Sequence, residues 1–141
     1  MNTLIKNARV LLCEDGRLLT KEADIAITGN KISQTGKIEE NLEFQKVIDA
    51  KNMLAMPGII NAHTHLAMIL LRNYADDMPL FDWLTKKIWP LEANLTPELI
   101  YSGSILGIAE LIKSGVTGFL DMYFFAEETI RAALETGVRV Y

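Results

Sequence analysis

The apolar positions of this chain follow two regimes that meet at Pro57-Gly58. Before that point apolar residues recur at short, strand-like spacing. Leu4 to Leu12 predicts a first strand, and Glu14-Asp15-Gly16-Arg17 a polar turn. Asp24-Ile25-Ala26-Ile27-Thr28 alternates polar with apolar, Gly29-Asn30 turns the chain, and Lys31-Ile32-Ser33-Gln34-Thr35 runs back as the second arm of a hairpin. Short strands fit Lys46-Val47-Ile48-Asp49 and Met53-Leu54-Ala55. Residues 1–56 therefore read as a small antiparallel sheet module.

After the boundary, strands alternate with helical spacing. Ile59 to Ala62 predicts a buried strand, Leu80 to Ile88 a short helix and Pro97 to Ser114 a longer one. Thr96 is placed to cap the longer helix, with Pro97 first and Glu98 in the first turn, where exposed amide protons favour negative charge. Ile105, Ile108, Ala109, Leu111 and Ile112 form its apolar stripe, and Gly115 ends it. Val116 to Met122 is a strand, Glu127 to Glu135 a helix stopped by Gly137, and Val138 to Tyr141 the start of another strand. This rhythm predicts an α/β fold with a parallel sheet. Leu66 to Pro79 has no clear pattern.

Residues 57–141 would then hold two β/α units and the start of a third strand. Such a sheet has an open edge, an aggregation hazard that a closed barrel removes. The expectation is that this chain is the front part of a longer one, whose remainder closes the barrel.

With 50% hydrophobic residues and 23% charged ones, the chain has the composition of a folded domain. Its net charge of -4, with lysines spread singly except Lys86-Lys87, offers no basic stripe for nucleic acid. Cys13 is the only cysteine, so no internal disulfide forms, which suits a reducing compartment. No leader pattern and no run of about 18 apolar residues is present, so a cytoplasmic protein with no membrane partner is expected.

Candidate chemistry concentrates at the end of the first strand after the boundary. His63 and His65, the only two histidines, stand two apart, and side chains two apart on a strand share a face. Both imidazoles can reach one divalent metal ion. Catalytic zinc commonly takes about three protein ligands and keeps one position open, so further ligands are expected beyond Tyr141. Neutral nitrogen ligands favour zinc, whereas iron or manganese occupies mixed nitrogen and carboxylate sites. The competing reading is a pair of histidines that ends a strand and bonds to backbone or solvent. Asn61 shares their face, in a packing, hydrogen-bonding or catalytic role.

Other residues carry a functional and a structural reading side by side. Trp83 can stack on a planar ring or fill a helix face, while Trp89 reads as core. Glu92 can accept both hydroxyls of a ribose, although a solvated or capping glutamate is the simpler reading. Asp121, near the end of the second strand, either lines a pocket or orients a histidine. Asp76 and Asp77 read as caps for the segment from Leu80 or as partners of nearby backbone amides, against a substrate contact; Arg72 supports Asp76 or Asp77 or engages an acidic ligand; Lys86 and Lys87 read as a solvated face. Met68, Met78 and Met122 read as packing. Gly103 and Gly107 lie inside a helix and begin no phosphate loop.

The stretches Met56-Pro57-Gly58-Ile59-Ile60-Asn61-Ala62-His63-Thr64-His65, Met68 to Asp77, Trp83-Leu84, Ile88-Trp89-Pro90-Leu91-Glu92 and Gly115 to Tyr123 resemble the amidohydrolase superfamily. They look closest to its methylthioadenosine and S-adenosylhomocysteine deaminase group. The resemblance implies a (β/α)8 barrel, with residues 1–56 contributing part of a β-sandwich that the other chain end completes. It implies that His63 and His65 bind the metal, that Trp83 lies beside the nucleoside base and that Glu92 receives the ribose hydroxyls. The general acid and base would lie beyond Tyr141, so the 141-residue segment alone is expected to be inactive. Two local departures stand out: Asn73 where many members have glycine, and Gly118 where a second threonine is common.

The implied reaction of the complete protein is hydrolytic deamination of an adenine nucleoside with a 5′ thioether, methylthioadenosine or S-adenosylhomocysteine. Deamination or dechlorination of another N-heterocycle such as a triazine, and a catalytically silent scaffold, are the alternatives.

Overall fold

The computed structural model describes residues 1–39 and 42–141. They divide into two compact units, Met1–Pro57 and Gly58–Tyr141.

The first unit is built on two long strands, β1 (Asn2–Glu14) and β2 (Arg17–Thr28), joined by a turn in which Asp15 and Gly16 both take positive φ. They pair antiparallel from Asn2 opposite Thr28 to Glu14 opposite Arg17. The whole of residues 17–28 is strand, although only its second half alternates cleanly in sequence. β3 (Lys31–Gly36) extends the sheet beside β2, while β4 (Lys46–Asp49) and β5 (Leu54–Ala55) both pair with β1. Those last two pairings are parallel, so the sheet is mixed rather than antiparallel as expected. The reason is connectivity: β4 and β5 return to the edge of β1 that β2 leaves open, and they run in its direction. Ala8, Val10, Ile25 and Ala50 form the buried centre.

The second unit opens with β6 (Ile59–Thr64), which pairs in parallel with β7 (Val116–Asp121); β7 in turn pairs in parallel with β8 (Arg139–Val140). Between them lie a 3-10 helix (Leu66–Leu71), a helical segment from Leu80 to Glu92 that begins as α1 (Leu80–Trp83) and ends as α2 (Trp89–Glu92), then α3 (Pro97–Lys113) and α4 (Ala126–Thr136). The order β6-β7-β8 with helical crossovers is a run of consecutive parallel β/α units. Phe119 on β7 is fully buried against Leu66, Ile108, Ala132 and Ala133. Burying a side chain of that size contributes about 1.5–3 kcal/mol.

The helix ends follow their sequence signals. Thr96 Oγ1 accepts the Leu99 amide, and Gly137 closes α4 with a φ of 78° that suits glycine. The buried face of α3 differs from the expected stripe. It carries Ile100, Gly103, Ser104, Gly107 and Ile108, whereas Ala109 and Ile112 are exposed. Small residues occupy this face because neighbouring segments come very close. A Cβ added to Gly107 would lie 2.6 Å from Leu66 Cδ1, and one on Gly103 would lie 3.0 Å from the Ala67 carbonyl oxygen. Ser104 and Thr129 join α3 to α4 by a buried hydrogen bond of 3.0 Å.

Candidate metal and nucleoside site

Strand β6 ends at Thr64, and His65 is the residue that precedes the 3-10 helix, so the two histidines straddle a strand end instead of sharing a regular strand. A bulge assists their convergence. Asn61 opposes Phe119 and Thr64 opposes Asp121, which leaves one extra residue on β6 between the two pairs. Asn61 accepts the His63 amide through its side chain at 3.2 Å, holding that bend locally.

The outcome is a pair of imidazoles whose Nε2 atoms lie 3.4 Å apart. Nitrogen ligands at about 2.05 Å from a tetrahedral zinc ion would be separated by about 3.3 Å. His65 Nδ1 lies 2.7 Å from the carbonyl oxygen of Met122. A carbonyl only accepts, so Nδ1 carries the proton and the lone pair of Nε2 faces His63. The donor pair therefore fits a single divalent ion in spacing, and His65 does so in tautomer as well. Among the described residues no group of three or more His, Cys, Asp or Glu side chains could hold a metal, so a third ligand is not supplied here.

Asp121 does not face the ring nitrogens. Its Oδ1 accepts from the Thr64 side chain at Oγ1 and from the Leu66 backbone amide, each at 2.8 Å, and so ties together the two residues that flank His65. Three consecutive residues at the end of β7 thus act on the site. Asp121 holds the turn, Met122 orients His65, and the Tyr123 phenol donates to Glu92 Oε1 at 2.8 Å.

A cavity of about 450 Å³ adjoins the pair, bordered by His65, Trp83, Trp89, Glu92, Tyr123 and Phe124 among others. Trp83 and Glu92 are nine positions apart and would point to opposite sides of an uninterrupted α-helix. The helical segment is not uninterrupted. Between α1 (Leu80–Trp83) and α2 (Trp89–Glu92) it widens into a π turn over Leu84–Ile88, with the Trp89 amide bonded to the Leu84 carbonyl. Pro90 explains the widening, since it lacks the N–H that would continue the α pattern and its ring crowds the preceding turn. The change of phase lets both residues border one cavity. Trp83 is fixed by its indole N–H, which donates to the Ala75 carbonyl at 3.0 Å.

Burial, and secondarily the Glu92 carboxylate, push the Tyr123 phenol above its ordinary range. It is a permanent donor to Glu92 at neutral pH.

Several sequence expectations are revised. Trp89 is 49% exposed and stands at the cavity rim, packed edge-on to Phe81, because the widened turn rotates it out of the core. Asp76 and Asp77 do not cap the helix at Leu80, whose preceding residue is Pro79 with no side-chain cap; Asp77 itself has a φ of 55°. Arg72 turns instead to Glu110 and makes two hydrogen bonds of 3.0 and 2.8 Å. Lys86 and Lys87 are exposed, with Lys86 3.0 Å from Asp82. Asn73 has a φ of 60°, a conformation that asparagine tolerates and glycine adopts freely. The features missed in sequence were the π turn, Met122 and Tyr123. A proline inside a helical run was the available signal for the first, and nothing local marked the other two.

The chain is 50% identical over 139 residues to the 5-methylthioadenosine/S-adenosylhomocysteine deaminase of Thermoanaerobacter pseudethanolicus, covering 99% of this chain and 32% of that protein. It is 52% identical over 136 residues to the 5′-deoxyadenosine deaminase of Methanothrix thermoacetophila, covering 96% and 32%. Its fold superposes with a TM-score of 0.86 and 32% identity on an adenosine deaminase from Xanthomonas campestris with bound zinc, over 98% of this chain and 32% of that one. The chain thus spans about a third of the length of the curated relatives it matches. Residues 54–141 match the amidohydrolase family, and the chain belongs to it.

Proposed function

We propose that this sequence is the amino-terminal part of a zinc-dependent deaminase, acting on an adenine nucleoside with a thioether at the 5′ position. In that reading residues 1–57 contribute to a composite β-sandwich and residues 58–141 begin a (β/α)8 barrel. The observation that carries it is the meeting of His65, Trp83 and Glu92 around one cavity beside the paired imidazoles.

His63 and His65 would hold the ion through their Nε2 atoms. When bound, zinc lowers the pKa of water to about 7, so that a nucleophile for the amine-bearing ring carbon exists at neutral pH. The chain's own residues bind and orient. Trp83, its indole anchored to Ala75, presents an aromatic wall to a purine, and Glu92 offers a carboxylate to the ribose diol. The apolar side chains of Met68, Leu80 and Leu84 exclude water around the nucleoside. The relatives that deaminate methylthioadenosine, S-adenosylhomocysteine or 5′-deoxyadenosine support an adenosine with an altered 5′ carbon.

The test is ammonia release by the full-length, zinc-loaded protein from methylthioadenosine, S-adenosylhomocysteine and 5′-deoxyadenosine, and from adenine without ribose. Turnover of the nucleosides is expected, with Glu92→Ala impairing them and sparing adenine. Equal loss on nucleoside and free base would remove Glu92 from ribose recognition, and no release of ammonia from any of them would overturn the deaminase reading.

A further inference from the structure

Glu92 lies at the last residue of the helical segment, where a lone carboxylate could sample many orientations toward the cavity. One strong contact restricts it. Tyr123 reaches from the end of β7 and donates to Oε1 at 2.8 Å. The Tyr123 ring is itself confined, with its centroid 5.2 Å from that of Phe124 and 6.2 Å from that of His65. The phenol oxygen is thus fixed by ring packing, and the carboxylate is fixed by the phenol.

We propose that Tyr123 is a positioning residue that presents Glu92 to the ribose diol, and that it thereby sets the discrimination between ribonucleosides and their deoxy counterparts. This rests on the ribose role of Glu92 given above. An ionised carboxylate accepts at about four lone-pair positions. Tyr123 occupies one of them on Oε1 and leaves the others, enough for two hydroxyl donors. The gain is in pre-organisation: a carboxylate already held in its plane loses less freedom when the diol arrives. Because Tyr123 follows Met122, whose carbonyl orients His65, the same short segment also fixes the ribose acid relative to the metal-facing imidazole.

Tyr123→Phe keeps the ring and removes only the hydroxyl. In the full-length, zinc-loaded protein it should raise KM for 5′-deoxyadenosine roughly two- to tenfold, the scale of one net hydrogen bond, with kcat little changed. KM for the 2′,3′-dideoxy form of the same nucleoside should stay unchanged. In a Glu92→Ala background, which keeps no side-chain acceptor for the phenol, the Tyr123→Phe change should add little further loss. A purely structural tyrosine would instead weaken both nucleosides alike and would add its full effect in either background. A ribonucleoside KM that stays unchanged or falls in Tyr123→Phe overturns the proposal too. If Glu92→Gln itself fails to distinguish the ribo from the dideoxy substrate, the ribose reading of Glu92 fails, and Tyr123 falls with it. If Glu92→Gln distinguishes them and Tyr123→Phe does not, only the positioning role is overturned.

Discussion

His65 gives its Nδ1 proton to the carbonyl oxygen of Met122 across 2.7 Å, and this bond decides which nitrogen the ring turns toward His63. The donor tautomer is set by backbone just past the end of β7, where no side-chain substitution deletes it. What can be perturbed is the turn that carries His65.

Asp121 grips the turn through Thr64 Oγ1 and the Leu66 amide. Asp121→Ala leaves the Leu66 amide without its acceptor, while Thr64 Oγ1 keeps the Leu120 carbonyl at 2.9 Å, and the loss should cost about 1–3 kcal/mol of stability. Zinc affinity should fall about 10- to 100-fold, the range found when groups that orient metal ligands are removed. Chemical denaturation and chelator competition on the full-length protein measure the two effects. Unchanged zinc affinity would show that the turn keeps its shape without Asp121.

Gly107 allows α3 to lie directly against Leu66, the residue after His65. Gly107→Ala would place a methyl 2.6 Å from Leu66 Cδ1 and 3.3 Å from the Leu66 carbonyl oxygen. Leu66 is buried and has little room to yield. Overpacking of this kind costs about 1–3 kcal/mol, and here it should also weaken zinc binding because the displaced residue adjoins a ligand. Thermal denaturation with and without zinc checks it. A variant as stable as the parent and equally avid for zinc would contradict the close-approach role.

Arg72 and Glu110 tie the end of the 3-10 helix to α3, and the guanidinium holds the Glu110 carboxyl below its usual range. A depressed folded pKa stabilises the protein above the unfolded carboxylate value, about 4.3, and that contribution is lost as pH falls through the lower folded value. Both side chains are about half exposed, at 55% and 49%, so the effect is small and screened by salt. Glu110→Gln should therefore denature slightly earlier than the parent near pH 7, and the gap should close progressively as the pH is lowered below about 4.3. A gap that persists in acid would assign it to packing.

The two-regime pattern of apolar residues revealed most strands and helices, because spacing along one segment governs each element, but it passed over the 3-10 helix at Leu66–Leu71 and the first half of β2. The direction of β4 and β5 was not legible, since pairing with β1 depends on where a later segment returns. The buried face of α3 was misread because Gly103, Ser104 and Gly107 bury by being small, and a count of apolar residues passes over them. His63 and His65 stood out as the only histidines, two apart at a strand end. Their orienting groups, Asp121 and the Met122 carbonyl, lie more than 50 positions away and are brought in by parallel pairing of β6 with β7. Trp83 and Glu92 shared no helical face in sequence, and the π turn before Pro90 is what makes them neighbours of one cavity.

The central claim is that both imidazoles serve one ion, and anomalous diffraction at the zinc absorption edge from crystals of the full-length, zinc-loaded protein tests it most directly. A single peak within about 2.0–2.2 Å of both His63 Nε2 and His65 Nε2 is the result predicted by their 3.4 Å separation. An anomalous map with no peak between the two rings, or with zinc bound only elsewhere, would contradict it.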